Sequence, residues 1–266
     1  MQVTELATYP IKSTRQITLG EALISRTGFE HDRRWLLVDL EGGFITQRQY
    51  PQLVKVTATP ERGGLLLQNT GMEDLWVQQP DPNLKTPVEV SVWKDHCQAI
   101  DAGDDAAEWF STVLDKPYRL VHQPDHAIRP VDPQFSSPSD QTSFADGFPF
   151  LLTSEASLDE LNSRLSQPVT MERFRPNIVI DGLEAWAEDT WKTIQIGEVT
   201  FRVAKPCSRC VMTTIDPKTG EKTGKDPLMT LSQYRRTKMG VIFGQNLIHD
   251  QAGIIRVGDK VTVLSE

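Results

Sequence analysis

The first hundred residues consist of short runs rich in β-branched and apolar residues, and this pattern most limits what the chain can fold into. The runs cover residues 2–9, 17–25, 34–39, 53–59 and 64–68. Turn-forming sequences separate them, namely Glu41-Gly42-Gly43, Arg62-Gly63-Gly64 and Pro80-Asp81-Pro82. Because no helical pattern lies between the runs, they predict an antiparallel sheet or barrel rather than alternating βαβ units.

A helix and a long irregular segment follow these strands. Gly103 and Asp104 mark the predicted start of the helix, and Trp109 and Phe110 belong to an apolar stripe at helical spacing. Residues 121–147 contain scattered prolines and histidines and are expected to form a long exposed connection. Loops of this length in a compact protein are often functional or mobile, so we place the domain boundary near this segment.

The remainder of the chain predicts a second unit in which strands again outnumber helices. Residues 148–153 form a buried strand that runs into a helix, with Ser154 as the N-cap and Ser157 and Glu160 as a capping box. The other predicted elements are strands at 177–181, 193–196, 199–203, 240–248 and 260–264 and a helix around 228–234. The sequence thus predicts an α+β, β-rich fold with domains at 1–122 and 123–266, in which the extreme N-terminal strand can pair with the second domain.

Composition excludes several classes of protein. The formal net charge of the 266-residue chain is −8, whereas a general nucleic-acid binder is normally basic. No segment approaches the roughly 18 consecutive apolar residues that a membrane span needs, and the N-terminus has no secretory signal pattern. The three cysteines, Cys97, Cys207 and Cys210, do not form a disulfide framework. They indicate a reducing compartment, and we predict a cytoplasmic protein without nucleic-acid or membrane partners.

The segment Lys205-Pro206-Cys207-Ser208-Arg209-Cys210 allows four interpretations. A structural zinc site needs further soft ligands, and the five histidines show no paired ligand spacing. A redox pair of the thioredoxin type begins a helix, whereas Cys210 leads into a β-branched run. The cysteines are also compatible with simple core residues. The fourth interpretation is a single thiolate, favoured by nearby Arg209, on a heavier transition metal whose remaining ligands come from an organic cofactor.

A cofactor of this kind requires groups that bind anions, and the sequence offers several. They are Lys12 and Ser13 after the first strand, Arg33 before another strand, Thr153 and Ser154 at a predicted helix N-terminus, and Arg175 with Asn177. Helix N-termini attract phosphate, and a guanidinium can contact phosphate through two N–H groups. Each group also has a structural interpretation, since a single arginine is often a salt-bridge partner and Ser154 can be an ordinary cap.

At these residues the sequence resembles the MOSC family (molybdenum cofactor sulfurase C-terminal domain), in particular the mitochondrial amidoxime-reducing component and its bacterial relatives. The matching motifs follow the family's order over essentially the whole chain. They are Tyr9-Pro10-Ile11-Lys12-Ser13, Ser154-Glu155-Ala156-Ser157-Leu158, Arg173-Phe174-Arg175-Pro176-Asn177, Ala187-Glu188-Asp189-Thr190-Trp191, Cys207-Ser208-Arg209-Cys210, Thr213-Thr214-Ile215-Asp216-Pro217 and Phe243-Gly244-Gln245.

The resemblance implies a MOSC-associated N-terminal β domain packed on a MOSC β-barrel domain, with a molybdenum–molybdopterin cofactor in the cleft between them. By this analogy Cys210 is the molybdenum ligand and Cys207 is not. The implied cofactor contacts are Lys12, Ser13, Arg33, Thr153, Ser154, Arg175, Asn177, Ser208 and Arg209. Asp189 and Asp216 are candidate proton donors, although a turn or capping role is the alternative for both.

The resemblance also implies reduction of N-hydroxylated compounds such as amidoximes and hydroxylamines. Three cysteines cannot hold a four-cysteine iron–sulfur cluster, so we expect no such cluster in this chain and a separate redox protein as electron donor. Two other hypotheses stay open. The chain could be a cofactor carrier or sulfur-transfer protein that uses a Cys210 persulfide, or a non-enzymatic domain whose cleft holds another phosphorylated ligand.

Overall fold

A computed structural model describes residues 1–266, which form nineteen β-strands and three α-helices. The strands before the first helix are β1 (Gln2–Thr8), β2 (Ile17–Leu19), β3 (Glu21–Ser25), β4 (Gly28–Phe29), β5 (Trp35–Val38), β6 (Thr57–Glu61), β7 (Gly64–Gln68), β8 (Leu75–Gln78), β9 (Val88–Val92) and β10 (Asp95–Asp101). There follow α1 (Asp104–Leu114), β11 (Arg119–His122), β12 (Phe150–Ser154), α2 (Glu155–Asn162), β13 (Ile178–Asp181), β14 (Thr193–Ile196), β15 (Val199–Ser208), α3 (Leu228–Tyr234), β16 (Arg236–Thr237), β17 (Gly240–His249), β18 (Gly253–Arg256) and β19 (Val261–Ser265). Short 3₁₀ helices cover Pro51–Lys55, Met171–Phe174, Ala187–Asp189 and Val211–Thr214.

A nine-stranded sheet forms the larger half of the molecule. Its order is β19-β14-β15-β17-β12-β13-β1-β2, with β16 paired to β17, and β12 and β13 are its parallel pair. A bridge between Gln2 and Lys260 brings the start of β1 to the residue before β19. The sheet therefore curls around one apolar core, in which the ring of Phe150 packs against those of Phe29 and Phe201. The first strand of the chain is thus part of a sheet built mainly from the C-terminal half.

The smaller half contains two antiparallel sheets and α1. Their strand orders are β5-β11-β10-β9 and β6-β7-β8. Helix α1 buries Trp109 and Phe110 against both sheets, while Val90 and Phe144 belong to a core on the other side of β5. A three-stranded sheet, β18-β3-β4, pairs a strand near the C-terminus with one near the N-terminus. None of the α-helices is long and apolar enough to cross a membrane.

The α+β, β-rich prediction is confirmed, but several element predictions were wrong. Residues 53–59 do not begin as a strand, because Pro51 starts a 3₁₀ helix and β6 begins only at Thr57. Ser154 does cap α2 by accepting a hydrogen bond from the Ser157 amide, but the predicted capping box does not form. Instead Glu160 pairs with Arg164. Strands β8, β9, β10, β11 and β18 were missed or only partly predicted.

The long connection between β11 and β12 is less exposed than expected. It contains no regular strand or helix, as predicted. However, Arg129, Val131 and Phe144 within it are buried. The Arg129 guanidinium explains this packing, because it donates to the carbonyl oxygens of Ser143 and Ala145 and pairs with Asp95. The connection is therefore a folded layer between the two halves of the molecule.

Candidate functional site

A cavity of about 670 Å³ lies where the two halves meet. Its walls carry eight cationic side chains and three carboxylates, although the whole chain has a net charge of −8. The cations are Lys12, Arg33, Arg48, Lys94, Arg173, Arg175, Lys205 and Arg209, and the carboxylates are Asp95, Asp132 and Asp146. A cleft lined mainly by one sign of charge concentrates ligands of the opposite sign, so this cavity is suited to an anion.

Lys12 enters the cavity from the turn that follows β1. Its amide donates to the Trp35 carbonyl at 2.9 Å, and this bond fixes the turn against β5. Its ammonium Nζ donates to the Phe144 carbonyl at 2.8 Å and to Asp146 Oδ1 at 2.6 Å. Burial lowers the pKa of Lys12 to about 8, and the nearby Asp146 carboxylate limits this shift. Lys12 is therefore mostly charged at neutral pH but close to losing its proton.

Two guanidinium groups, those of Arg33 and Arg175, lie over the ring of buried Tyr9 at 4.2 and 4.1 Å from its centroid. Arg33 donates to Asp32 at 2.6 Å and to Asn177 Oδ1 at 3.1 Å, which fixes its orientation. Arg175 donates through Nη1 to the Thr14 carbonyl at 2.8 Å. Its Nη2 atom is buried and has no hydrogen-bond partner within the protein.

Burial also lowers the pKa of Arg175, to about 10, so that its guanidinium is charged at neutral pH. An unpartnered buried N–H of a charged group is costly, because its water contacts are lost without replacement. A ligand that accepts a hydrogen bond from Nη2 would remove this cost. Arg175 thus marks one wall of the cavity as a place for an anionic acceptor.

Backbone strain is concentrated around the same cavity. Seven residues other than glycine have a positive φ, and four of them line the cavity: Ser13, Arg33, Trp93 and Arg175. This left-handed conformation is unfavourable for L-residues with large side chains. Strain of this kind persists only where the surroundings impose it, and it often accompanies a functional site.

The segment around Phe174 is positioned by packing against β17. The rings of Phe174 and Phe243 stack with centroids 3.8 Å apart. Gly244 follows with a φ of +78°, and a Cβ there would lie 2.6 Å from the Leu152 carbonyl oxygen. Only glycine therefore lets β17 approach β12 this closely. Asn177 completes the arrangement, because its amide side chain bonds to the Leu151 amide and the Ala7 carbonyl.

The cysteine motif lies at the end of β15. The Arg209 amide donates to the Val241 carbonyl at 2.7 Å, and Cys210 then begins the 3₁₀ helix Val211–Thr214. Cys210 is exposed and lines the cavity together with Ser208. Arg209 donates to the Cys207 sulfur at 3.0 Å and to the Phe174 carbonyl at 2.7 Å, while its buried Nε has no partner. The Cys207 sulfur is thus engaged by Arg209, and Cys210 presents its thiol to the cavity wall.

Thr153 and Ser154 do not line this cavity. Both are fully buried, and Ser154 caps α2. The hydroxyls of Ser154 and Ser157 donate to the carboxylate of buried Glu188, the shortest of these bonds being 2.7 Å from Ser157. Burial raises the pKa of Glu188, and the two hydroxyls counteract that effect. The hydroxyl groups of this cluster are therefore engaged within the protein.

Asp189 and Asp216 also lie outside the cavity lining. Asp189 pairs with Arg235 at 2.6 Å and accepts a hydrogen bond from Gln245. Asp216 accepts the amide hydrogens of Lys218 and Thr219, each at 2.9 Å, as a turn-forming aspartate does.

The protonation of Asp216 fits the same structural role. Burial alone would raise its pKa, but these N–H groups and the Arg173 guanidinium hold it below its ordinary value. An aspartate that is ionised at neutral pH has no proton to donate. Both carboxylates are thus engaged in ion pairs and hydrogen bonds that support the fold. Their catalytic role stays a prediction.

Several cavity residues were absent from the predicted cofactor contacts: Arg48, Trp93, Lys94, Asp146, Arg173 and Lys205. Arg173 could have been found, because it lies two residues before Arg175 in the same motif. Asp146 ends the long connection that the sequence marked as functional. Arg48 and Trp93 carry no such signal, and only the fold brings the Arg48 guanidinium to 4.5 Å from the Trp93 ring.

Comparison with known proteins agrees with this architecture. A family model for the MOSC N-terminal beta barrel domain matches residues 1–117, and one for the MOSC domain matches residues 139–262. Among curated proteins, mitochondrial amidoxime-reducing component 1 of Homo sapiens is 37% identical and covers 99% of this chain and 83% of its own. Component 2 of Rattus norvegicus is also 37% identical, with 97% and 82% covered.

Among solved structures, the YUAD protein of Bacillus subtilis covers 98% of this chain and 93% of its own, with 9% identity and a TM-score of 0.43. The family models and the curated relatives extend over nearly all of the sequence. They confirm the resemblance that the motifs had indicated. The chain therefore belongs to the MOSC-domain family, and the mitochondrial amidoxime-reducing components are among its relatives.

Proposed function

We propose that this chain is a molybdenum-cofactor-dependent oxidoreductase that reduces N-hydroxylated compounds, such as amidoximes and hydroxylamines, with electrons from a separate redox protein. The names of its relatives support the reaction class. The structural observation that carries the proposal is the cavity itself. There the exposed Cys210 thiol shares a cationic space with two guanidinium groups, Arg175 and Arg209, that each have a buried N–H without a partner.

These residues fit a phosphorylated pterin that carries a metal. Arg175 and Arg209 have N–H groups free for phosphate or pterin oxygens, and Lys12 and Arg33 add positive charge. Ser13 and Ser208 supply hydroxyls on the same walls. No group of three or more His, Cys, Asp or Glu side chains is arranged to hold a metal ion. Cys210 would therefore be the protein's own ligand, and the cofactor would supply the others.

When bound, the cofactor supplies the two-electron chemistry, since each N–O bond that is reduced consumes two electrons and two protons and releases water. The protein's part is binding and orientation. Cationic side chains hold the anionic cofactor, and the hydrogen bond from Arg209 keeps the neighbouring Cys207 sulfur engaged. Cys207 also lines the cavity, but its sulfur accepts that bond, whereas Cys210 presents its thiol without one just after β15. Lys12 keeps a mobile proton inside the cavity, because burial lowers its pKa to about 8.

The proposal is tested by measuring molybdenum and pterin in protein purified from a host that makes the cofactor. We expect stoichiometric molybdenum in the wild type and in Cys207→Ser, the matched control. Cys210→Ser should keep its fold but lose most of its molybdenum. It should also lose most of its catalytic activity in reducing benzamidoxime with a chemical reductant as electron source. Equal turnover in Cys210→Ser would contradict the ligand assignment.

The same measurement separates the rival functions. Absence of both metal and pterin from the wild type would overturn the proposal. Molybdenum and pterin without any turnover would favour a cofactor carrier. A persulfide on Cys210 in metal-free, functional protein, detected by mass spectrometry, would favour sulfur transfer.

A further inference from the structure

Two surface segments are bonded to residues close to Cys210 in the chain. One is the loop 216–226, which is held to the 3₁₀ helix after Cys210 by a bridge between Ile215 and Lys222 and by the Thr223 amide on the Thr214 carbonyl. The other is the hairpin of β16 and β17, whose Val241 accepts the hydrogen bond from the Arg209 amide. Both segments are therefore bonded to residues close to Cys210 and sit at fixed positions beside it.

Most of the exposed charged side chains of these segments are cationic, and Glu221 is the exposed acid. Lys222, Lys225, Arg236 and Lys238 are all exposed, and we call these four residues the basic surface. None of them lines the cavity, and none has a carboxylate within salt-bridge distance. The basic surface thus lies outside the cofactor cavity, and no carboxylate of the protein neutralises its charge. It stands out on a chain whose net charge is −8.

Exposed apolar side chains accompany the basic surface. Val211, the residue after Cys210, is 39% exposed, and Met239 at the tip of the hairpin is 40% exposed. Transient redox complexes bury little surface and depend on complementary charge for fast encounter. A small apolar contact with cations around it has the composition of such an interface.

We infer that the basic surface is the docking site of a small acidic electron-carrier protein, which delivers its electrons next to Cys210. This inference rests on the proposed function and adds the location and charge of the partner's binding surface. Each docking event oxidises the reduced carrier by one electron, so two events supply the two electrons that one N–O bond consumes. The carrier approaches the Cys210 end of the cavity from outside and leaves the cavity itself to the substrate.

Charge complementarity favours an acidic protein over the other polyanions. A nucleic acid binds by neutralising many phosphates along an extended run of cations, whereas the basic surface offers four cations on a chain of net charge −8. An electron carrier bound here would lie close to the proposed metal, because the exposed Cys210 is its proposed ligand. Docking of an acidic electron carrier would thus explain both the position and the positive charge of the basic surface.

The test compares two variants that change the net charge equally. One reverses the basic surface with Lys222→Glu, Lys225→Glu, Arg236→Glu and Lys238→Glu. The matched control reverses three lysines and one arginine elsewhere, with Lys116→Glu, Lys192→Glu, Lys260→Glu and Arg62→Glu, all of which are exposed. Each cofactor-loaded protein is mixed with a reduced acidic flavodoxin, and separately with reduced methyl viologen, in a stopped-flow instrument.

We expect the second-order rate with flavodoxin to fall at least about tenfold in the basic-surface variant at low salt, and much less in the control. The rate with methyl viologen should stay at the wild-type value in both, because a small reductant needs no docking surface. Flavodoxin affinity, measured by titration on cofactor-loaded and cofactor-free protein, should fall in parallel with the rate.

Equal losses in the two variants, or no loss in either, would overturn the inference. A membrane-binding result would overturn it as well. In that outcome the flavodoxin rate is unchanged in the basic-surface variant, and this variant alone no longer binds vesicles of anionic lipid. If the wild type fails even with methyl viologen, the proposed function fails instead. The flavodoxin titration then still decides whether the surface binds an acidic protein.

Discussion

Two polar clusters lie at opposite ends of the parallel strand pair β12 and β13, and they differ in whether their hydrogen bonds are complete. At one end, Arg33, Arg175 and Asn177 face the cavity, and Nη2 of Arg175 has no partner. At the other end, the hydroxyls of Ser154 and Ser157 bond to the buried carboxylate of Glu188. The first cluster has positive charge and room for a ligand, while the second is closed around an acid of its own.

The difference shows which kind of polar cluster can bind an anion. Both clusters come from family motifs, and both contain residues that bind phosphate in other proteins. At the Ser154 end, the Glu188 carboxylate accepts hydrogen bonds from the hydroxyl groups that would otherwise be free to bind a phosphate. We therefore expect substitutions in the first cluster to change cofactor binding and substitutions in the second to change stability.

The largest expected effect is on cofactor binding in Arg175→Met. The variant loses a charge-assisted contact worth about 1.5–3 kcal/mol, so cofactor should bind about a hundredfold more weakly. Pterin per folded chain, measured after gel filtration, should fall accordingly. The free energy of unfolding of the cofactor-free protein should change by less than about 1 kcal/mol, because removal of a buried charge offsets the lost bond to Thr14.

Arg202→Met is the control for this substitution. Arg202 is paired with Asp140 and Asp250 and does not line the cavity. It should therefore retain pterin at the wild-type level. If Arg175→Met retained full pterin, or if both variants lost it equally, the unpartnered guanidinium would not mark the cofactor site.

The second cluster should show the reverse behaviour in Glu188→Ala. This substitution leaves the buried Ser157 hydroxyl without its acceptor, while Ser154 can still donate to Ser157 Oγ, and the loss costs about 2 kcal/mol of unfolding free energy. Molybdenum and pterin per folded chain should not change. Chemical denaturation measures the first quantity and elemental analysis the second.

Glu188→Gln retains an acceptor oxygen in the same place, so it should recover most of the stability lost in Glu188→Ala. Failure of this rescue would mean that the hydrogen bonds do not stabilise the fold. Loss of cofactor from stable Glu188→Gln protein would mean that the Ser154 end also belongs to the binding site.

The sequence identified residues of both clusters, and only the fold distinguishes their surroundings. Lys12, Ser13, Arg33 and Arg175 were identified by residue type and do line the cavity. Ser154 was identified by the same reasoning, yet it faces Glu188. A serine before a helix is a cap in either case, and the sequence does not show whether an acid 34 positions away folds onto it.

Prediction of the fold was likewise limited by contacts between residues far apart in the sequence. Local patterns predicted the three helices and many of the strands, because alternation and capping act over a few residues. The first strand was expected to be able to pair with the second domain, but the patterns did not identify β13, about 170 residues later, as its partner. They also described residues 121–147 as exposed, although Arg129 buries part of that segment through carbonyl contacts that no local pattern encodes. Long-range partners were the information that the sequence lacked.

The smallest expected effect concerns Lys12 and pH. Its pKa is lowered from its ordinary value to about 8 by burial, so the folded protein loses this proton at a lower pH than the unfolded chain. Between that pH and the ordinary lysine pKa the unfolded chain binds more protons, and Lys12 therefore adds stability as the pH rises through this window. Anion binding should move in the opposite direction, because the cavity loses one positive charge.

Calorimetric titration of cofactor-free protein with inorganic sulfate, which stays a dianion at both pH values, should show about fivefold weaker binding at about pH 9 than at about pH 7. Both pH values lie below the pKa of Arg175, which is about 10. Lys12→Arg keeps its charge and should bind sulfate independently of pH over this range. Lys12→Met should bind weakly and also without pH dependence. An unchanged pH dependence in Lys12→Arg would assign the titration to another group. The contrast between the clusters would then rest on the Arg175 and Glu188 substitutions.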